Sequence, residues 1–96
     1  MQRLLNPRSI AIVGASTNIT KMGSLITFNV RAGGYEGKVY PINPKAKHVH
    51  GYKAYASVLE CPVPDLAAII VPKTAVPEIL DQCAKVKIKN IILITA

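Results

Sequence analysis

Four short apolar runs dominate the hydropathy pattern of the chain, and three of them are cut off by glycine, proline or a polar cluster. Ser9-Ile-Ala-Ile-Val13 stops at Gly14, Lys38-Val-Tyr-Pro-Ile42 at Asn43-Pro44, and Asp65-Leu-Ala-Ala-Ile-Ile-Val71 at Pro72, while Ile91-Ile-Leu-Ile94 lies at the C-terminal end. Runs of this length without apolar/polar alternation predict strands buried on both faces of a parallel sheet. Pro7 suits the entrance to the first strand. Pro41 predicts that the second ends early, because proline cannot donate within a ladder.

Two segments between the runs carry helical spacing. Met22 to Ala32 places apolar side chains at Met22, Leu25, Ile26, Val30 and Ala32, with Phe28 off the main stripe, and Gly33-Gly34 provide the stop. The second helix is expected from Ala75 to about Val86, with Thr74 as N-cap and Pro77 tolerated in the first turn. Its buried stripe would be Val76, Ile79, Leu80, Cys83 and Ala84. Lys85 and Lys87 fall near its C-terminus, where the helix dipole favours cations. Lys45 to Tyr55 reads as a polar, basic loop and Ala56 to Glu60 as a single helical turn. The order strand, helix, strand, strand, helix, strand defines an α/β, Rossmann-like domain: a mostly parallel sheet, covered on both faces by helices and joined by right-handed crossovers. With no repeat, low-complexity tract or linker, residues 1–96 read as one domain. A doubly wound domain ordinarily continues with another helix after such a strand, so the sequence reads as a fragment of a longer chain, truncated after the last strand.

Composition narrows the setting. Half of the residues are apolar, enough for a core, yet no run approaches the roughly 20 residues of a membrane span. MQRLLNPRSIAIVG lacks the apolar stretch and cleavage site of a secretory leader, so a cytoplasmic domain is expected. Cys61 and Cys83 lie far apart without a CxxC pattern and read as buried free thiols. Twelve Lys and Arg against five Asp and Glu give a net charge of +7, which favours an anionic partner. One Phe, no Trp and lysines scattered over several elements argue against nucleic acid; membrane association is not expected either.

Ligands of open α/β sheets bind beyond the carboxyl ends of the strands, near the reversal of strand order. Four segments of this chain should meet there: Gly14 to Gly23, Asn43 to Lys45, Val71-Pro72-Lys73, and Ile94-Thr95-Ala96. Gly14 permits a sharp turn out of the first strand. Ser16, Thr17, Asn18 and Thr20 offer short side chains to phosphate oxygens, Lys21 adds a charge, and Met22-Gly23 open a helix whose free N–H groups favour phosphate. The spacing does not match G-x-G-x-x-G, since position 16 is Ser and the next glycine after Gly14 is Gly23. Where NAD sites place an acid on the ribose, this chain has Asn43-Pro44-Lys45, then Lys47, and no carboxylate between Glu36 and Glu60. A basic residue there suits a ribose phosphate, carried by both NADP and coenzyme A. Val71 and Pro72 could wall an adenine or a pantetheine arm. His48 and His50 lack the Cys, Asp or Glu neighbours of a metal site and read as surface-loop histidines. The residues form no catalytic constellation: no nucleophile elbow, no paired carboxylates, no Walker lysine.

The strings LLNPRSIAIVGAS, GGYEGKVYPINPKA, GYKAYASVLECPVPDLAAIIVP and IILITA resemble the N-terminal coenzyme A-binding domain of nucleoside-diphosphate-forming acyl-CoA synthetases, relatives of the succinyl-CoA synthetase alpha subunit. The resemblance runs from about Leu4 to Ala96. It implies a domain that binds coenzyme A or acyl-CoA within an enzyme interconverting acyl-CoA, ADP and phosphate with acid, ATP and coenzyme A. It further implies that Gly14 to Gly23 holds the coenzyme phosphates, with Ser16 and Lys21 the chief polar contacts. Asn43, Pro44 and Lys45 would flank the adenosine and its 3′-phosphate, Val71 and Pro72 the adenine or pantetheine, and Ile94 and Thr95 the arm leading to the thiol. The family's phosphohistidine and ATP site lie in later domains or subunits, which would be this domain's partners, with homo-oligomerisation left open; His48 and His50 do not inherit the catalytic role. No metal is implied. An acetyltransferase fused to a similar domain and an NADP-binding oxidoreductase domain are the alternatives.

Overall fold

The computed structural model describes residues 7–14 and 22–94. The elements are β1 (Ser9–Val13), α1 (Met22–Ala32), β2 (Lys38–Ile42), β3 (His48–Val49), β4 (Tyr52–Lys53), β5 (Leu66–Ile69), a 3-10 turn (Lys73–Ala75), α2 (Val76–Lys85) and β6 (Asn90–Leu93). Four strands form one sheet in the order β2-β1-β5-β6, all parallel. The chain runs from β1 outward to β2, then crosses back over to β5, so the strand order reverses between β1 and β5. This is the α/β, Rossmann-like arrangement that the four apolar runs predict.

The sheet's two faces are filled by alternate residues of its central strands, as the two-residue period of a strand requires. Ala11, Val13, Ala67 and Ile69 pack with Cys83 and Ile88 on the α2 side. Ile12 and Val39 pack on the opposite side with Val49 and Ala54, flanked by Ile26 and Val30 of α1. A fully buried side chain such as Ile12 or Ile69 contributes about 1.5–3 kcal/mol by burial. At the amino edge Asp65 staples three strands together. Its carboxylate accepts from the Arg8 amide (2.8 Å), its amide donates to Ser9 Oγ (2.9 Å), and its carbonyl accepts from Asn90 Nδ2 (3.0 Å).

Pro41 does not cut β2 short. Its carbonyl faces the outer side of the sheet, where it accepts the Tyr55 amide (2.8 Å), so its missing N–H costs no bond to β1. The segment Lys45 to Tyr55, expected as a loop, instead folds into an antiparallel hairpin of β3 and β4. His50 and Gly51 form its two-residue turn with φ of 47° and 88°, the pattern of a type I′ turn. Without an Asn-Gly or Asp-Gly pair and with two-residue strands, the hairpin leaves little trace in the sequence. Ala56 to Glu60, expected as a single helical turn, instead makes a hydrogen-bonded turn without helix, closed by Glu60 N–H on the Ser57 carbonyl (3.0 Å).

Both helices differ from their apolar stripes. On α1 the buried residues are Gly23, Ser24 and Thr27, while Met22, Leu25 and Phe28 are exposed. Small side chains let this helix lie close to the sheet, and the polar ones are satisfied: Thr27 Oγ1 donates back to the Gly23 carbonyl at 2.8 Å. It ends at Gly33-Gly34 as expected, with the Gly34 amide on Arg31 O (3.1 Å) and Tyr35 N–H on Val30 O (3.3 Å), a Schellman closure. On α2 Cys83 is buried and Ile79 half-buried, but Leu80 and Ala84 are exposed. Thr74 is not its N-cap: the chain first makes the 3-10 turn from Lys73, and Ala75 precedes α2 without a side-chain cap. Nor is the sheet covered throughout. Ile91, Ile92 and Leu93 of the edge strand β6 are 39%, 44% and 47% exposed, so both faces of β6 are partly bare. Among the described residues no helix is long and apolar enough to cross a membrane.

Candidate functional site

Gly14 leaves β1 at the point where strand order reverses. Its φ is 98°, and a Cβ there would overlap the Ile70 carbonyl at the end of β5. Only glycine lets the chain pass so close between the two strands. Beside it opens a cavity of about 380 Å³, lined by Val13 and Gly14 of the first strand and its exit, Ile42 to Lys45, Ala56-Ser57, Val71, and Ile79 and Gln82 of α2. Val13, Ile42, Val71 and Ile79 give it aliphatic walls, Asn43, Lys45, Ser57 and Gln82 add polar groups, and among the described residues no Asp or Glu lines it.

The rim is locally ordered. The Asn43 side chain accepts from the Lys45 amide (2.8 Å), an Asx turn that folds Pro44 and Lys45 over the end of β2. The Asn43 amide donates to Tyr55 O (2.8 Å) and fixes this turn to the return leg of the hairpin. On the other side Ser57 Oγ donates to Gln82 Oε1 at 3.2 Å, linking the 56–60 turn to α2. Lys45 is exposed and free to reach an anion at the cavity mouth.

Of the residues singled out from sequence, Gly14, Asn43, Pro44, Lys45 and Val71 meet around this one cavity. Pro72 is exposed and opens the 3-10 turn, and Ile94 is half-buried beyond β6; neither belongs to the lining. Gly23 is buried on α1 and Met22 exposed at its start. Ser16, Thr17, Asn18, Lys21 and Thr95 lie outside the described residues. Sequence reasoning missed Val13, Ile42, Ala56, Ser57, Ile79 and Gln82 as lining residues. The helical spacing marks Ile79, but nothing local marks Gln82, one turn further on.

Cys61 and Cys83 are free and buried, as expected. Burial pushes both thiols above their ordinary range, and Cys83 in turn adds to the rise at Cys61, against a backbone hydrogen bond that lowers it. Burial of this kind favours the neutral thiol over the nucleophilic thiolate. Among the described residues no group of three His, Cys, Asp or Glu side chains is arranged to hold an ion.

A parallel sheet with a glycine exit at its switch point and an apolar cavity beside it is the arrangement at which open α/β domains bind ligands. More narrowly, residues 8–96 match the CoA binding domain family, and the chain belongs to it. It is 46% identical over 94 residues to a 4-hydroxybutyrate–CoA ligase (ADP-forming) of Nitrosopumilus maritimus, covering 97% of this chain and 13% of that protein. An acetate–CoA ligase (ADP-forming) of Methanocaldococcus jannaschii is 44% identical over 91 residues, covering 94% of this chain and again 13% of the relative. The solved structure of a dinucleotide-forming acetyl-coenzyme A synthetase 1 of Candidatus Korarchaeum cryptofilum, in complex with phosphate and ADP, superimposes with a TM-score of 0.95. It is 44% identical, and the match covers 99% of this chain and 21% of that one. The chain thus spans about an eighth of the length of the two ligases it matches.

Proposed function

We propose that this domain holds coenzyme A, or its acyl thioester, for an ADP-forming acid–thiol ligase. The reaction is acid, ATP and coenzyme A in exchange with acyl-CoA, ADP and phosphate. The observation that carries this reading is the convergence of Gly14, the Asn43–Lys45 turn and Val71 on one apolar cavity without a carboxylate. A coenzyme with a flat base and a ribose phosphate fits such a site: aliphatic walls take the base, and Lys45 meets the phosphate.

In this reading the segment Gly14 to Gly23 cradles the diphosphate, with Ser16, Thr17, Asn18 and Lys21 as its polar contacts and Met22-Gly23 at the helix start. N–H groups there and the positive end of the α1 dipole favour the anion. Asn43, Pro44 and Lys45 hold the adenosine and its 3′-phosphate. Val71 and Pro72 lie along the adenine or the pantetheine arm, and Ile94 and Thr95 along the path to the thiol. The chain's contribution is binding and orientation: it delivers the thiol, while the phosphoryl chemistry belongs to partner domains or subunits of the ligase. The compartment is the cytoplasm.

Competition titration tests the ligand class. Coenzyme A should displace a fluorescent coenzyme A analogue from the folded chain at lower concentration than NADPH does. Displacement by NADPH at equal or lower concentration would assign the site to an oxidoreductase cofactor instead.

A further inference from the structure

The hairpin turn is docked on α1 through three successive residues. Ser24, Phe28 and Arg31 follow one another along one side of the helix, and His50, Gly51 and Tyr52 oppose them. Ser24 Oγ lies 2.7 Å from His50 Nε2 in a hydrogen bond. The Phe28 ring meets the His50 imidazole edge-on, with centroids 5.7 Å apart and an interplanar angle of 67°. The Arg31 guanidinium stands 5.4 Å over the Tyr52 ring and also occupies the space that a Cβ on Gly51 would need.

Two features set the Ser24–His50 pair apart from ordinary packing. Ser24 is 1% exposed, yet its hydroxyl is bonded to a side chain 26 residues away. His50 holds a φ of 47° at a turn position where Asn, Asp or Gly is the easier residue. An imidazole thus stands at a left-handed turn position, and its ring reaches the one buried hydroxyl in the first turn of α1. That turn directly follows the Gly14–Lys21 segment in the chain. The strand leading into His50 begins three residues after Lys45. One short stretch, Lys45 to His50, thus runs from the basic rim of the cavity to the start of α1.

We propose that His50 is a positioning residue for the coenzyme site. Through Ser24 it holds the first turn of α1, and so the diphosphate end of the site, in register with the adenosine end at Asn43 to Lys45. The inference rests on the coenzyme A reading above. A displacement of an anion-binding helix start by a fraction of an ångström weakens several N–H contacts at once, so a tether remote from the ligand can control affinity.

The test compares two ligands, coenzyme A and adenosine 3′-monophosphate, the second lacking the diphosphate. Ser24→Ala deletes the tether on the helix side with a strong helix former. His50→Gly deletes it on the hairpin side while easing the left-handed backbone. Each variant of the full 96-residue chain should bind coenzyme A about tenfold more weakly, with the double variant no worse than either single one. Affinity for adenosine 3′-monophosphate, followed by ligand-observed NMR, should stay within about twofold. Unchanged coenzyme A affinity in Ser24→Ala, a parallel loss of both ligands, or additive effects of the two substitutions would overturn the proposal. Failure of the unsubstituted chain to bind coenzyme A would instead overturn the ligand assignment beneath it.

Discussion

Gly14 passes so close beneath the Ile70 carbonyl that the exit of β1 and the end of β5 share one van der Waals surface. The contact sits where the strand order reverses, and Gly14 lines the cavity beside it. Gly14→Ala forces a Cβ into backbone at a φ of 98°. The substitution should cost about 3 kcal/mol of stability, measured as a lower denaturant midpoint with unchanged slope. Surviving folded protein should bind coenzyme A more weakly, because relief of the overlap must move β1 away from β5.

Lys45 projects from the Asx turn at the cavity mouth. Lys45→Ala should weaken coenzyme A about fivefold while leaving dephospho-coenzyme A nearly unchanged, as expected for loss of one exposed charge contact. Raising the salt concentration should shrink that difference. The two affinities, measured at two ionic strengths, check it.

Ala56 is exposed yet lines the cavity. Ala56→Trp places a ring over about 380 Å³ of cavity without displacing a core side chain. Coenzyme A affinity should drop at least about tenfold with a melting temperature within a few degrees of the unsubstituted chain. An unchanged affinity would move the ligand out of this cavity.

Burial raises the pKa of Cys83, and of Cys61, above the usual thiol range. In the unfolded chain these thiols ionise first, so the unfolded state binds fewer protons once pH passes the ordinary thiol pKa. Stability contributed by the neutral buried thiols is complete below that pH and falls as pH rises toward the folded-state values. The melting temperature should therefore decline through the alkaline range. Cys83→Ala should start lower at neutral pH, for the cavity it leaves, but decline less steeply.

Strand positions were legible because each parallel strand falls within a short, mostly apolar run, and Gly14 and Pro72 punctuate two of them. The helix boundaries of α1 were legible too, but its buried face was not. Burial of Gly23, Ser24 and Thr27 is decided by close approach to the sheet and by partners such as His50, neither of which a hydrophobic period records. The hairpin was hidden for a related reason: Val49 is its fully buried aliphatic residue, and the turn uses His50 in place of Asn. In the site, the segments at strand ends could be placed by topology. Ser57 and Gln82 could not, because their pairing depends on how α2 docks beside the 56–60 turn.

Calorimetric titration of the folded chain with coenzyme A and, in parallel, dephospho-coenzyme A reads the coenzyme site most directly. Binding of coenzyme A should be saturable with a Kd below about 1 mM, and affinity should be several-fold weaker without the 3′-phosphate. A folded sample that binds neither at roughly millimolar concentration, or binds both equally, would contradict a coenzyme site built from the Gly14 exit and the Asn43–Lys45 turn.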